Sequence, residues 1–343
     1  MGILEECIRL HRLETEYNKS ENHIKNTGAL VSVLVTTYQQ VDFIKDCIEG
    51  VLMQITNFPI EIIIGEDQST DGTREICIEY AENYPDKIRL FLRNRATSLL
   101  YSEKGNIRRY FNGIWTRMSA TGKYIAWCEG DDYWTDPYKL QKQVDFLETN
   151  DDYGLVHTCA NSNVHGKIQV LSPNKKVSNG YVFESLLKND FYISTLTAMA
   201  RRDLLVNINY INKNWKMGDY PMWLEVSLVS KIMYLPELTA TYRVLNESAS
   251  HSMNKKKQFE FFKSTQDIKD FFIEREAVNE ETVQNVRSQY YNYLLTFSEY
   301  CISESIRGFK YLIKLKRLTI TDIYNLIRGV LKFVYLRLFV IVV

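Results

Sequence analysis

Net charge is absent from this sequence: 42 basic side chains are balanced by 42 acidic ones over 343 residues. No overall field draws in a polyanion, so nucleic acid is not an expected partner. Cysteine pairing is absent too. Cys7, Cys47, Cys77, Cys128, Cys159 and Cys301 are scattered, with no C-x-x-C spacing and several inside apolar runs. They read as reduced core thiols, which points to the cytoplasm. No G-x-G-x-x-G follows the first apolar run and no G-x-x-x-x-G-K-[ST] occurs anywhere, which excludes a dinucleotide fingerprint and a P-loop. Residues 1–27 contain Glu5, Glu6, Glu14 and Glu16 and no uninterrupted apolar core, so they read as a short helical extension and not as a signal peptide. The terminal run from Val330, VLKFVYLRLFVIVV, is interrupted by Lys332 and Arg337 and falls short of the roughly 20 residues that span a bilayer.

What the chain does have is a core. Its apolar content is 45%, with 13% aromatic, enough for one large or two ordinary domains. LVSVLVTT (30–37), IEIII (60–64), Ile88–Leu92 and YIAWC (124–128) read as strands buried on both faces. Helical spacing runs between them, at about 42–54, 74–83 and 106–120. That alternation predicts an α/β fold, a mostly parallel sheet with helices on both faces. Gly154 to Ala160, Ile193 to Ala200 and Ile232 to Leu235 read as further strands, 161–180 as a long loop, and Met222 to Val229 as a helix. From Asn254 onward only helical spacing remains. The expected organisation is therefore an extension over 1–27, an α/β domain over 28–253 and a helical region over 254–343.

The segment that concentrates chemistry is KYIAWCEGDDYWTDP (123–137). Glu129, Asp131 and Asp132 sit at the end of one buried strand, where their mutual repulsion asks for a positive partner. A hard divalent cation, Mg²⁺ or Mn²⁺, takes oxygen ligands and often shares them with a phosphate. The competing reading is a polar turn leading to a helix cap at Asp136-Pro137. In parallel sheets ligands lie beyond the carboxyl ends of the strands. Thr36-Thr37-Tyr38, Glu66-Asp67 and Glu129 to Asp132 should therefore line one crevice, although Glu66-Asp67 also suits a turn in which Ser69 or Thr70 caps the next helix. Asp219, before Pro221, reads from its neighbours as a helix cap or as a carboxylate able to take a proton from an attacking hydroxyl.

VSVLVTTY, EIIIGEDQSTDGT, GKYIAWCEGDDYW and GDYPMWL, in this order and spacing, resemble the family 2 glycosyltransferases of GT-A fold, those of bacterial surface-polysaccharide assembly in particular. The resemblance covers about residues 30 to 250. It implies inverting, metal-dependent transfer of a sugar from a nucleotide-diphosphate donor to a carbohydrate or lipid-linked acceptor. It assigns Thr36, Thr37, Tyr38, Glu66 and Asp67 to the nucleotide side of the donor. Glu129-Gly130-Asp131 becomes the metal motif, with Asp131 and Asp132 facing the diphosphate and donor sugar, although many members carry Asp where this chain has Glu129. Asp219 becomes the general base. YRVLNESASH, holding Arg243 and His251, resembles the loop that brings basic groups to the departing diphosphate, and His251 is counted with the metal-site groups. Two other readings stay open: a nucleotidyltransferase making nucleotide-sugars, which would normally show a glycine-rich phosphate loop, and a non-catalytic glycan- or nucleotide-binding protein of the same fold.

Residues 301–343 carry eight basic and two acidic side chains, a net of +6 in a neutral chain. Joined to the apolar terminal run, this suits a peripheral contact with the inner face of the cell membrane, or alternatively packing on the catalytic domain or a second subunit.

Overall fold

The computed structural model describes residues 8–17, 28–94, 108–171, 177–206, 208, 215–245, 254–298, 300–315 and 317–339. The chain forms two compact units, Met1–Leu245 and Asn246–Val343.

In the first unit the buried β-branched runs become β1 (Val31–Thr37), β2 (Ile60–Glu66), β3 (Ile88–Leu92) and β4 (Tyr124–Trp127). They pair in parallel in the order β3-β2-β1-β4. Crossover helices α1 (Ile44–Leu52), α2 (Thr73–Asn83) and α3 (Arg108–Met118) connect them. Val31, Val33 and Val35 of β1 join Ile62 and Ile64 of β2 and Ile44, Ile48 and Val51 of α1 in one core. Phe111, Ile114 and Trp115 of α3 form a separate cluster. Both faces of these strands are thus covered, as their unbroken apolar runs require.

Beyond β4 the sheet departs from the expected parallel order. After β5 (Tyr133–Trp134) and α4 (Lys139–Thr149) come the long β6 (Tyr153–Val164) and β7 (Lys167–Leu171). These are followed by α5 (Phe183–Leu187), the short β8 (Met199–Arg201) and α6 (Arg202–Leu205), then α7 (Asp219–Val229) and β9 (Lys231–Val244). The sheet continues β4-β8-β6-β9-β5. β8 is antiparallel to both its neighbours, β6 and β9 are parallel, and β5 is antiparallel to β9. The loop expected over 161–180 is in part a hairpin, since β7 pairs antiparallel with the end of β6.

Within the extension expected over 1–27, residues 14–17 lie along β3, while Leu10 packs on the Phe111–Ile114–Trp115 cluster of α3. Tyr17 N–H donates to Leu90 O (2.7 Å), Glu16 pairs with Arg89 (2.9 Å) and Glu14 with Arg93 (2.7 Å). The outer strand of the parallel sheet is thereby covered, which is how folds protect an edge.

The second unit is helical: α8 (Lys255–Arg275), α9 (Glu280–Leu295), α10 (Ile302–Lys314) and α11 (Ile320–Phe339). Asn254 caps α8 by accepting from Lys256 and Lys257 N–H (2.9 and 3.2 Å). Phe262 packs against Tyr290, Tyr293 and Phe297, with ring centroids 5.2, 4.5 and 6.3 Å apart, so the aromatic stripe serves helix packing.

One buried charge supplies a stability test. Lys139 is fully enclosed, its Nζ donating to Gln143 Oε1 (2.8 Å) and lying 4.2 Å from the Trp134 ring centroid. Burial draws its ammonium from 10.5 down to about 7. Between these values the unfolded chain holds a proton that the folded chain has released. The stability cost of the lysine is therefore full below pH 7 and shrinks as pH rises. The unfolding midpoint of Lys139→Met minus that of the wild type should be level near pH 6 and fall from about pH 7 to pH 9. A difference that stays flat would mean the ammonium is not desolvated.

Candidate active site at the carboxyl ends of the parallel strands

The end of β1 ties the other two polar loops together. Asp67 N–H donates to Thr37 O (3.1 Å), and Gly130 N–H donates to Thr36 O (3.0 Å). Three loops that are far apart in sequence thus meet on two adjacent carbonyls. Gly130 is required for this approach, because a Cβ there would lie 2.8 Å from Thr37 Cβ and closer still to Gln40 Oε1. The loops after β1 and β2 also interlock. Gln39 and Gln68 adopt left-handed backbone (φ 54° and 61°), a conformation that costs about 1 kcal/mol for a side-chain-bearing residue. Offsetting this, Gln39 N–H donates to Ser69 Oγ (2.9 Å), Gln40 N–H to Thr73 Oγ1 (2.8 Å) and Val41 N–H to Asp71 Oδ2 (3.1 Å). The start of α2 is held by Asp71, whose Oδ1 accepts from Thr73 N–H (3.0 Å), and not by Ser69 or Thr70.

Asp67 is 5% exposed and Thr37 is buried, whereas Tyr38 is 46% exposed. Glu66 differs from its expected donor-facing role. It is fully buried, one oxygen accepting from Ser69 N–H (2.6 Å) and the other pairing with Arg74. Arg74 also donates to Arg93 O (2.7 Å). Arg93 runs beneath Gly65, donating to Asn112 O (3.0 Å) and Thr116 Oγ1 (2.8 Å), and Asn112 Nδ2 returns to Gly65 O (2.9 Å). A Cβ at Gly65 would collide with Arg93, Asn112 and Thr116. Glu66 therefore braces the strand end from which Asp67 projects.

In the loop after β4, Glu129 and Asp131 keep part of their surface accessible, while Asp132 is 2% exposed. Burial first, and then the charges of Asp131 and Asp219, push the Glu129 carboxyl up to about 8. Asp131 is raised by burial against the restraining influence of Arg243 and a hydrogen bond from Gln40. Asp132 is raised well above the carboxylate range by burial, Asp131 and Glu129, although its Oδ1 accepts from Arg243 N–H (2.8 Å). Asp219, 90 residues further along the chain, thus stands close enough to Glu129 for its charge to be felt. It is the first residue of α7, preceded by Gly218 as the cap. Its Oδ1 accepts from Tyr220 N–H (2.8 Å) and its Oδ2 from Thr195 Oγ1 (2.9 Å), so one oxygen serves the helix start and the other faces Thr195.

Arg243 was expected at the diphosphate. Its guanidinium instead donates to Asp131 O (2.9 Å), pairs with Asp46, and lies 4.3 Å from the Tyr133 ring centroid and 5.1 Å from that of Phe43. It holds the acidic loop in place. His251 lies outside the described residues. Gln40, Asp46 and Thr195 were missed by the reading of the sequence. They carry no motif: Gln40 lies in the loop after β1, Asp46 in the first turn of α1 and Thr195 in a single short turn before β8.

Among the described residues, no three His, Cys, Asp or Glu side chains form a metal-binding group. Glu129 and Asp131 are therefore no preformed cage. Mg²⁺ and Mn²⁺ sites shared with a substrate are built differently, from one or two carboxylates completed by phosphate oxygens and water. A recessed, oxygen-only, under-neutralised set of acids fits such a cation.

The chain matches "Glycosyl transferase family 2" over residues 32–99. It spans 58% of the length of uncharacterised Mycobacterium tuberculosis relatives, with 32% identity over 62% of its own length. It is 28% identical to a putative teichuronic acid biosynthesis glycosyltransferase of Bacillus subtilis, TuaG, over 66% of this chain and 83% of that one. Its fold is similar to that of S. aureus TarS 1–349 in complex with UDP-GlcNAc (TM-score 0.55, 17% identity, 89% and 80% of the two chains covered). It is similar also to that of the mannosyltransferase PcManGT from Pyrobaculum calidifontis in complex with GDP-Man and Mn²⁺ (TM-score 0.51, 14% identity, 96% and 87% covered). By the match over residues 32–99 and by its glycosyltransferase-named relatives the chain is similar to the family 2 glycosyltransferases, and its architecture is that of the nucleotide-sugar-binding GT-A fold.

Proposed function

We propose that this chain transfers a sugar, with inversion, from a nucleotide-diphosphate sugar to a carbohydrate or lipid-linked acceptor in surface-polysaccharide assembly, at the cytoplasmic face of the membrane. The observation that supports the proposal is that α7, which Asp219 begins, packs on the end of β4 through Trp223 against Trp127 (ring centroids 5.2 Å apart), and that the charge of Asp219 acts on Glu129. TuaG is named for teichuronic acid biosynthesis and the two solved neighbours hold UDP-GlcNAc or GDP-Man, which supports the donor class and the setting.

In this reading, Thr36, Thr37, Tyr38 and Asp67 border the nucleotide, and Asp131, with Glu129 beside it, would hold Mg²⁺ or Mn²⁺. Such a cation, when bound, neutralises the diphosphate and its growing charge as it departs. Asp132 fixes the loop through the Arg243 N–H, and the Arg243 guanidinium keeps the Asp131 carbonyl in place. Asp219 accepts the acceptor hydroxyl proton as that oxygen attacks the anomeric carbon from the face opposite the diphosphate. One displacement completes the transfer, and no covalent enzyme intermediate is required. Thr195, donating to Asp219 Oδ2, orients the carboxylate.

Screening nucleotide-sugars for slow hydrolysis without acceptor, with Mn²⁺ and with Mg²⁺, tests this function. Cation-dependent release of a nucleoside diphosphate from one donor is expected, and no release from any donor with either ion would oppose it. For Asp131→Asn, calorimetric titration with that nucleoside diphosphate should lose its Mn²⁺-dependent component. An affinity gain from Mn²⁺ equal to the wild type's would remove Asp131 from the cation site. Asp219→Asn should keep donor affinity and lose turnover by about two to four orders of magnitude. Since Asn suits a helix start nearly as well, its thermal midpoint should stay close to that of the wild type. Near-normal turnover would leave Asp219 as a helix-start residue alone.

A further inference from the structure

In α11 the residues turned outward are apolar. Ile320 is 86% exposed, Tyr324 63%, Ile327 55%, Leu331 65% and Ile323 40%. At about 100° per residue they fall on one stripe. Asp322 and Gly329 are buried on the opposite side of the helix, and the carbonyl of Asn325 accepts from Ser298 Oγ (2.9 Å). An ordinary surface helix reverses this arrangement, with apolar residues inward and polar ones outward. Arg328 and Lys332 are exposed along one flank of the stripe. The exposed face of α10 repeats the pattern, with Ile306 and Ile313 (41% and 51% exposed) among Arg307, Lys310 and Lys314.

The acids of this segment are withdrawn from those faces. Glu304 accepts from Tyr290 OH (2.6 Å), and Asp322 is 5% exposed and accepts from Thr319 N–H (2.8 Å). Exposed apolar side chains whose exposed charged neighbours, among the described residues of α11, are cations match an anionic lipid surface, where apolar groups enter the acyl boundary and Lys and Arg meet headgroups. No described helix is long and apolar enough to cross a membrane.

We propose that α11, assisted by the basic face of α10, lies in the interface of an anionic membrane with its Ile320–Ile323–Tyr324–Ile327–Leu331 stripe inserted. This deepens the membrane setting of the proposed function but is independent of the sugar-transfer chemistry.

Co-sedimentation of the full chain with vesicles tests it. Binding to phosphatidylglycerol-containing vesicles should exceed binding to phosphatidylcholine vesicles by at least tenfold and weaken as salt rises from about 0.1 to 0.5 M, where the Debye length shrinks about twofold. Ile323→Glu with Ile327→Glu should lose binding at either salt concentration, and Arg328→Glu with Lys332→Glu should lose its anionic preference. Both double variants should retain the wild-type helical circular dichroism and nucleoside diphosphate affinity, which separates failure here from failure of the catalytic reading. Vesicle binding by the Ile323→Glu, Ile327→Glu variant equal to the wild type's overturns the proposal. So does an absence of vesicle binding joined to concentration-dependent dimerisation that the same variant abolishes, because a second copy would then cover the stripe.

Discussion

Negative charge gathered in a recessed place with, among the described residues, too little positive charge to balance it is the constraint on which the first unit depends. Glu129, Asp131 and Asp132 leave one strand within four residues, and Asp219 adds its charge from another element. All three acids of the loop are pushed up by burial, and Glu129 and Asp132 also by neighbouring carboxylates. The Arg243 guanidinium that serves the loop is divided between Asp46 and a backbone carbonyl. A fold built for stability alone would replace these acids, since a buried carboxylate without a full partner is costly. The proposed function accounts for them, because a bound cation and a diphosphate would complete the balance that the protein leaves open.

The surrounding scaffold holds that arrangement rigid. Thr36 and Thr37 hold the neighbouring loops by backbone bonds alone. Gly65 and Gly130 allow the close approaches, Arg93 under β2 and Gln40 against the acidic loop. The fully buried Glu66 and its partner Arg74 brace the second strand end. Residues 14–17 reach the same brace from outside, through Glu14 and Arg93. Pre-set positions of this kind reduce the reorganisation needed when the substrate arrives.

Much of this was legible in the sequence because the parallel half of the sheet follows from local pattern. Runs such as VSVLV and IEIII have only one comfortable home, and each ends in polar residues that must then share an edge. The second half was less legible for physical reasons. β8 is three residues long, β9 is half-exposed or exposed over much of its length, and β6, buried from Gly154 to Ala160, runs on to Val164 through less buried residues, so the pattern announces β6 and β9 only in part. Glu66 and Arg243 were the least readable. Motif position set both beside the donor, while their partners, Arg74 for one and Asp46 with Tyr133 for the other, are chosen by tertiary packing that no spacing rule contains. The outward apolar stripe of α11 was visible only as composition, because the face a helix turns to its neighbours is a property of the folded unit.

The charge imbalance itself is the central claim, and Glu129 is where it is measured most directly. With its carboxyl raised from 4.5 to about 8 in the folded chain, stability is full at low pH and is lost as pH rises between those values. Thermal unfolding of wild type and Glu129→Gln at about pH 8.5 in the presence of chelator would test it. The account predicts a higher midpoint for the variant, by about 2–4 °C for each kcal/mol of repulsion removed, shrinking towards pH 5. An equal or lower midpoint at high pH would show that the carboxylate is already balanced within the protein, and would contradict the account.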